Sequence, residues 1–345
     1  MSLATTRLTE IVTGLGALGG SLRDVLPVRP GELHHVDDDT WASVVAAWDD
    51  PALARLADAA FANGRFFLEA TDALRGRRPR RVEWAGPRRA PGDEVAPVDL
   101  RIDHVYLVSC KYLSKITVNA SPSHLFDRLL TGGHGRRSGD WYAEVAPSEL
   151  AALWSAARRW LSDADLATDL ATNLATDLEA INKDGRRVIA KQMTFRAWPT
   201  ELATHYEALC AVVATASASR WNEAVRLGGA RAAEAIVWRL LRIGSAPYFV
   251  LGSHGTEQPL RLRVASPWDW RQEFELRSFQ VEPLPGGQPM VSWRAIVRCV
   301  ATRVEQVVTG HVEIRWSHGR FSGPPEAKVY LDTPFAEVPG YWPLR

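Results

Sequence analysis

The chain has 345 residues, 46% of them hydrophobic, and a net charge of +1, a composition typical of globular proteins. This length suits one large domain with an accessory region. The three cysteines, Cys110, Cys210 and Cys299, are far apart and form no CxxC pair. This spacing indicates neither a disulfide framework nor a zinc cluster, and it favours a reducing cytoplasm.

The amino terminus has no basic segment followed by a long apolar one, so we expect no signal peptide. No window approaches the run of about 20 apolar residues that a membrane span needs, so no membrane association is expected. The glycine-rich stretch 14–20 does not follow a predicted strand, and no GxxxxGK[ST] motif occurs. Nucleotide hydrolysis is therefore not expected, and any ATP-driven step would come from a protein partner with ATPase or helicase activity.

Helical and strand patterns alternate through the first half. Apolar residues at three- and four-residue steps predict two helices within 41–75, separated at Asp50-Pro51. Three strands are predicted next, and then two helices. The strands are at 81–84, 98–103 and 105–112, with a tight turn near His104, and the helices are within 121–130 and 147–161.

The second half changes character near residue 255. Helices are predicted over 165–180 and 200–242, followed by a strand at 247–253, and alternating strands with turn signals dominate from 256 onward. We therefore predict an α/β domain with helical insertions over 1–255 and a β-rich accessory region over 256–345. The central sheet is expected to be mixed and flanked by helices from 52–75 and 200–242.

The rarity of lysine draws attention to the predicted hairpin. The chain has only five lysines, and Lys111 and Lys115 lie at the end of the hairpin's second strand. A turn centred on His104 places Asp99 opposite Ser109, and strand alternation places Lys111 on the same face. Lysine offers a compact charge whose pKa can shift on burial, which arginine does not. A simple cross-strand ion pair between Asp99 and Lys111 is the alternative explanation.

Pro97-Val98-Asp99 and Ser109-Cys110-Lys111 resemble the motif of the PD-(D/E)xK, or restriction-endonuclease-like, nuclease superfamily. The resemblance covers roughly residues 55–130, extends to the strand at 247–252, and corresponds to a Ser-x-Lys variant. It implies a restriction-endonuclease-like mixed sheet and a catalytic set of Asp99, Ser109 and Lys111. Mg²⁺ or Mn²⁺ would be held by Asp99 and a second acid. We expect that acid to be Glu69, with Glu83 and Asp127 as the next candidates.

Arginines are concentrated between the first helices and this hairpin. A set of four arginines together with Lys115 is the predicted DNA contact, because clustered guanidinium groups bind phosphates; the arginines are Arg77, Arg78, Arg80 and Arg81. The alternative is a solvated basic loop. The resemblance thus predicts a magnesium-dependent DNA endonuclease that acts in restriction or phage defence. The second hypothesis is a nuclease-fold DNA-binding or scaffold subunit without activity, because Ser109 replaces the usual acid.

A rival acid-x-Lys triplet lies in the carboxy-terminal region. Glu326-Ala327-Lys328 has the acid that Ser109 lacks, and Glu313 precedes it. Pro324-Pro325 directly before the triplet argues against a central strand there. The hairpin containing Asp99 is therefore the preferred site.

Overall fold

The structure is a computed structural model that describes residues 3–86, 98–112, 116–128, 139–163, 178–254, 258–284 and 286–345. In these ranges the helices are α1 Leu3–Leu18, α2 Leu22–Val25, α3 Asp38–Trp48, α4 Pro51–Glu69, α5 Trp141–Val145, α6 Pro147–Asp163, α7 Lys183–Gln192, α8 Thr200–Leu240 and α9 Pro267–Glu273. The strands are β1 Leu33–His34, β2 Val82–Trp84, β3 Leu100–Ile102, β4 Tyr106–Tyr112, β5 Ile116–Ala120, β6 Tyr248–His254, β7 Gln258–Val264, β8 Phe274–Leu284, β9 Met290–Cys299, β10 Glu305–Arg315, β11 Glu326–Leu331 and β12 Tyr341–Pro343.

Two sheets organise the described part of the chain. A mixed sheet has the strand order β1-β2-β3-β4-β6-β7-β12. Its β1–β2 and β4–β6 pairs are parallel, and its other pairs are antiparallel. A second sheet is antiparallel throughout, with the order β5-β11-β10-β9-β8. The predicted mixed α/β class is therefore confirmed.

Each face of the mixed sheet is buried in a different core. Strand alternation directs Val108 and Tyr112 toward α1 and α4, in a core with Phe67. The opposite face contributes Val250 to a larger core that also contains the inner face of the antiparallel sheet. Side chains of α8 belong to this larger core, but α8 contacts mainly α6, β8 and β9. This helix therefore covers the antiparallel sheet more than the mixed sheet that it was expected to flank.

Most predicted elements of the first half are present. The expected break at Asp50-Pro51 separates α3 from α4, because the Asp50 side chain accepts a hydrogen bond from the Ala52 amide and Pro51 opens the helix. The turn of the β3–β4 hairpin has φ values of 48° at Asp103 and 59° at His104. Positive φ at two central residues matches the twist of paired strands, which is why this turn fixes the register.

Two elements of the first half differ from the sequence pattern. The helix expected at 121–130 is a short π-helical segment, His124–Arg128. The strand β5 was not predicted, and it pairs with β11 of the antiparallel sheet. The predicted helix at 165–180 falls mostly outside the described residues, which show only a 3₁₀ turn at Leu178–Ala180.

Strand pairing connects the two predicted regions. The expected boundary at 255/256 lies between β6 and β7, which are paired neighbours in the mixed sheet. The strand β12, from the carboxy-terminal region, pairs with β7 in the mixed sheet. The strand β5, from the first region, pairs with β11 in the antiparallel sheet. The residues after 256 are β-rich, as expected, and both sheets contain strands from both regions.

Helix α1 was missed because glycines interrupt its apolar pattern. These glycines allow α1 to cross α4 at very short range: a Cβ on Gly64 would lie 2.0 Å from the Thr13 carbonyl oxygen, and one on Gly16 would lie 2.2 Å from that of Phe61. A residue type that weakens an isolated helix is thus required here for packing. In the described ranges, no helix is long and apolar enough to cross a membrane.

Candidate functional site

The β3–β4 hairpin brings Asp99 and Ser109 together. Leu100 pairs with Val108 and Ile102 with Tyr106, which is the predicted register. The Ser109 hydroxyl donates a hydrogen bond of 3.2 Å to Asp99 Oδ2, and the backbone N–H of Cys110 donates to the same oxygen at 2.7 Å. Asp99 therefore bonds to β4 through its side chain at the open end of the hairpin.

Lys111 lies further along the same face of β4. Alternation places its side chain on the side of Ser109, which is fully buried. The Lys111 ammonium donates a hydrogen bond of 3.2 Å to the carbonyl oxygen of Ile116, the first residue of β5. The lysine thus links the end of a mixed-sheet strand to the edge strand of the antiparallel sheet.

A buried polar network, not foreseen from the sequence, supports the other face of β4. The Tyr112 hydroxyl hydrogen-bonds Thr13 of α1 at 2.7 Å, and Asn63 of α4 donates to Tyr112 at 3.2 Å and to the Gly252 carbonyl at 2.7 Å. Arg261 donates to Asn63 at 2.8 Å. Burial raises the pKa of Tyr112, so its hydroxyl stays neutral, and the Arg261 guanidinium is the charged member of the network. The only sequence feature that pointed to this network was Asn63, a polar residue on the buried face of α4.

The structure does not bring Glu69 to Asp99. Helix α4 covers the opposite face of the sheet, with Asn63 beside Tyr112 and Phe67 against Tyr106, ring centroids 5.7 Å apart. It therefore runs antiparallel to β4, and Glu69 lies beyond the turn end of the hairpin. There its carboxylate pairs with Arg65 at 2.9 Å, and its side chain is 62% exposed.

The other two candidate acids have partners elsewhere. Glu83 Oε1 lies 3.0 Å from Arg81 Nε, and Asp127 Oδ1 lies 3.6 Å from Arg220 Nε. Among the residues that the structure describes, no group of three or more His, Cys, Asp or Glu side chains is arranged to hold a metal ion. Mg²⁺ and Mn²⁺ prefer several oxygen ligands. The described donor set around Asp99, a single carboxylate already bonded to β4, does not fit either ion.

Three of the four predicted DNA-contact arginines form ion pairs. Arg77 pairs with Asp103 at 2.6 Å and Arg78 with Glu32 at 2.8 Å, while Arg81 is the partner of Glu83. Arg80 is exposed and has no acidic partner within the described ranges. Lys115, the fifth predicted contact, lies outside the described residues.

The arginine run and the predicted catalytic residues lie at opposite ends of β3. The Asp103 carboxylate accepts hydrogen bonds from the backbone N–H groups of Arg80 and Arg81, at 2.8 and 3.1 Å. The run is therefore attached to the hairpin turn. At about 3.3 Å per residue, the turn is roughly 13 Å along the strand from Asp99.

Glu83 has two histidines beside it, which sequence reasoning missed. His104 Nδ1 lies 3.1 Å from Glu83 Oε2, and His35 Nε2 lies 4.0 Å from Oε1. Burial would raise the pKa of Glu83, but the hydrogen bond and charge of Arg81, together with the histidines, lower it overall. Little in the sequence indicated this cluster, because its three residues come from three separate segments of the chain.

The carboxy-terminal triplet lies on a central strand. Its strand β11 pairs with β10 on one side and β5 on the other, so the prolines before it do not keep it at an edge. Lys328 lies directly opposite Glu313 on β10, and its ammonium is 3.6 Å from Glu326. These groups face outward from the antiparallel sheet, where they form a local charge network.

The described part of the chain thus defines a mixed α/β protein with a hairpin polar site and a separate polar face on its antiparallel sheet. Comparisons with protein-family models, curated proteins and solved structures find no match for this chain.

Proposed function

We propose that this chain is a DNA-binding subunit with a restriction-endonuclease-like sheet, and that it binds DNA without cutting it. The observation that carries the proposal is the use of Asp99. Its carboxylate accepts hydrogen bonds from Ser109 and Cys110 within the sheet, and the expected second acid, Glu69, lies on the opposite face. In this proposal, Asp99 and Ser109 preserve the hairpin of a nuclease fold as a structural feature.

The strand arrangement supports the relation to nucleases. Helix α4 is followed by the antiparallel strands β2, β3 and β4, and β6 returns parallel to β4 after a long crossover. The resemblance depends on the order helix, three strands, helix, with extension to the strand at 247–252. In this chain β5 and the short π-helical segment His124–Arg128 follow β4 where the second helix was expected. Fold alone does not define activity, so the site decides between binding and cleavage.

Two arginines without acidic partners support DNA binding. Arg80 and Arg101 are exposed, and neither forms an ion pair in the described part of the chain. Arg101 lies on β3 between the turn and Asp99, on the same face as Asp99. Arg101 lies opposite Glu83 in the β2–β3 register without pairing to it, and guanidinium groups that form no ion pair are available for backbone phosphates. Arg77, Arg78 and Arg81 contribute less, because their charges are balanced within the protein.

The proposed setting is a reducing cytoplasm, because the cysteines at 110, 210 and 299 are free. A binding subunit of this kind works with protein partners that supply the nuclease, ATPase or helicase step. A complex that acts in restriction or phage defence is the setting that the resemblance favours.

A magnesium- or manganese-dependent endonuclease is the second candidate. The specific observation in its favour is Lys111, one of few lysines in an arginine-rich chain, at the end of the strand that carries Ser109. This candidate requires a second carboxylate near Asp99 to complete a metal site.

One experiment separates the two candidates. Purified protein is incubated with end-labelled duplex and single-stranded DNA, with Mg²⁺ or Mn²⁺, while binding is followed by fluorescence anisotropy over a series of salt concentrations. We expect salt-dependent binding and intact DNA. Absence of binding at low salt would overturn the proposal. Metal-dependent cleavage that Asp99→Ala and Lys111→Ala abolish, and Lys328→Ala does not, would establish the endonuclease instead.

A further inference from the structure

The outward face of the antiparallel sheet has a polar cavity far from the hairpin. Along β10, Val308, Val312 and Ile314 point into the core, so Thr309 and His311 point outward. A cavity of about 250 Å³ lies on this face. Its polar lining residues come from four segments and are Gln280, Glu282, Ser292, Arg294, Thr309 and Asp332.

A carboxylate orients a histidine beside this cavity. His311 Nδ1 lies 2.9 Å from Asp332 Oδ1 and 3.2 Å from Oδ2. An ionised carboxylate only accepts hydrogen bonds, so Nδ1 must carry the proton, and the neutral ring then has its lone pair on Nε2. The Tyr330 ring stacks on the imidazole at 4.9 Å with an interplanar angle of 10°. The tautomer and the ring plane of His311 are therefore both fixed.

Ser292 is the direct neighbour of His311 on the adjacent strand. The two residues are paired in the β9–β10 register. Ile314, in the same register, donates its backbone N–H to the Pro289 carbonyl, so Ile314 and Pro289 are a hydrogen-bonded pair. Hydrogen-bonded and non-hydrogen-bonded pairs alternate along antiparallel strands. His311, three residues before Ile314, is therefore in a non-hydrogen-bonded pair with Ser292. Such pairs have Cα atoms about 4.5 Å apart and the closer side chains. The Ser292 hydroxyl donates to the Glu282 carbonyl at 3.2 Å, so an approach to the imidazole requires rotation about χ1 of Ser292.

We propose that Ser292, His311 and Asp332 form a nucleophilic site for acyl transfer. Ser292 Oγ attacks the carbonyl carbon of an ester, and its proton passes to His311 Nε2. The tetrahedral intermediate then expels the alcohol, which receives that proton, and water hydrolyses the acyl-serine by the same route to release the acid. Asp332 is a positioning residue that keeps Nε2 unprotonated before attack and stabilises the imidazolium afterwards.

Arg294 defines the substrate class. It lies two residues from Ser292 on the same face, about 7 Å away along the strand. It is exposed and forms no ion pair within the described ranges. Gln280 and Thr309, its cross-strand neighbours, are neutral. The site therefore fits an ester whose acyl group carries a carboxylate or phosphate that binds Arg294. The exposed Glu282 lines the same cavity, opposite Ser292.

A fluorophosphonate probe tests the nucleophile, because Ser292 Oγ would displace fluoride from phosphorus and remain covalently labelled. We expect labelling of the full chain at Ser292 by peptide mapping, none in Ser292→Ala, and at least about 100-fold slower labelling in His311→Ala. Ser278→Ala, on the same outward face of β8, is the matched control and should label normally. Thermal unfolding verifies that each variant is folded.

Two further measurements test the roles of Asp332 and Arg294. In Asp332→Asn, labelling should slow by about 100-fold, because the imidazolium that forms loses its carboxylate, and Asp332→Glu, which keeps the carboxylate, should label faster than Asp332→Asn. In Arg294→Ala, hydrolysis of 4-nitrophenyl hemisuccinate should weaken by roughly tenfold in kcat/KM, while 4-nitrophenyl butyrate is unaffected.

Absence of fluorophosphonate labelling in the wild-type protein would overturn this proposal. Labelling of folded His311→Ala at the wild-type rate would overturn it as well. DNA binding by Ser292→Ala should equal that of the wild type, so this site and the DNA-binding proposal fail independently.

Discussion

Asp99 and Ser109 are joined side chain to side chain across the β3–β4 hairpin, at 3.2 Å, and the same Asp99 oxygen also accepts the Cys110 amide. Ser109 is fully buried, so its hydroxyl and the amide depend on this carboxylate for a partner. Asp99, to which the nuclease resemblance assigns a catalytic role, therefore stabilises the hairpin in this chain.

Asp99→Ala should reduce the free energy of unfolding by about 2 kcal/mol or more, because it leaves two donors without their acceptor. Asp99→Asn should cost less, since its amide oxygen still accepts. Urea unfolding followed by circular dichroism measures both. Glu207→Ala, an exposed acid on α8, is the control and should remain within about 0.5 kcal/mol of wild type. An Asp99→Ala protein as stable as the wild type would show that the hydrogen bonds to Asp99 do not hold the hairpin.

The crossing of α1 and α4 should be intolerant of a single methyl group. Gly64→Ala places a Cβ 2.0 Å from the Thr13 carbonyl oxygen, so the helices must separate, at a cost of about 3 kcal/mol. Gly31→Ala is the matched control, because nothing lies within 4 Å of its Cβ. Thermal unfolding of the two variants gives the comparison, and equal midpoints would mean that the helices are not in close contact there.

The DNA-binding proposal predicts a specific salt dependence. Replacing Arg80 and Arg101 together with Ala should weaken binding and reduce the slope of log affinity against log salt by about two, because two phosphate contacts are lost. Arg226→Ala removes an exposed arginine of α8 that is paired with Glu223, and it should leave the slope unchanged. Equal slopes for the double variant and the wild type would place the DNA contacts elsewhere.

Asp103 should stabilise the hairpin turn in a pH-dependent manner. Burial would raise the pKa of its carboxyl, but the hydrogen bond from Arg77 and those from the Arg80 and Arg81 amides lower it overall. A carboxyl with a lowered folded-state pKa contributes stability above its unfolded pKa, near 4, and loses that contribution as pH falls through the folded value.

Asp103→Asn tests this dependence, because asparagine also tolerates the positive φ of the turn. The variant should be less stable by about 1–3 kcal/mol at neutral pH, and the difference should shrink as pH falls below about 4. Urea unfolding over a pH series measures it. A difference that stays constant down to acid pH would indicate that the charge of Asp103 is not involved.

The three thiols should differ in reactivity. Hydrogen bonds from Thr302 lower the pKa of Cys299, whereas burial raises the pKa of Cys210 to about 12 and that of Cys110 well above its ordinary value. The thiolate is the reactive form. Iodoacetamide at mildly alkaline pH should therefore modify Cys299 first, as read by peptide mass spectrometry. Faster modification of Cys110 in the folded protein would contradict the burial of β4.

Local sequence determined the elements whose signals are short-range. Asp50-Pro51 marked the break between α3 and α4, and the apolar run before Lys111 marked β4. The tight turn centred on His104 was sufficient to fix the Asp99–Ser109 register, because a hairpin's pairing follows from its turn and from strict alternation of side chains.

Tertiary structure decided what no local pattern contains. Helix α1 depends on Gly16 and Gly64 meeting across two distant segments, so its glycines weakened the sequence signal while making the packing possible. The direction of α4 across the sheet placed Glu69 away from Asp99, and the β9–β10–β11 register placed Ser292 beside His311 and Asp332. These distances depend on which strands become neighbours and which faces become buried, and long-range burial sets both.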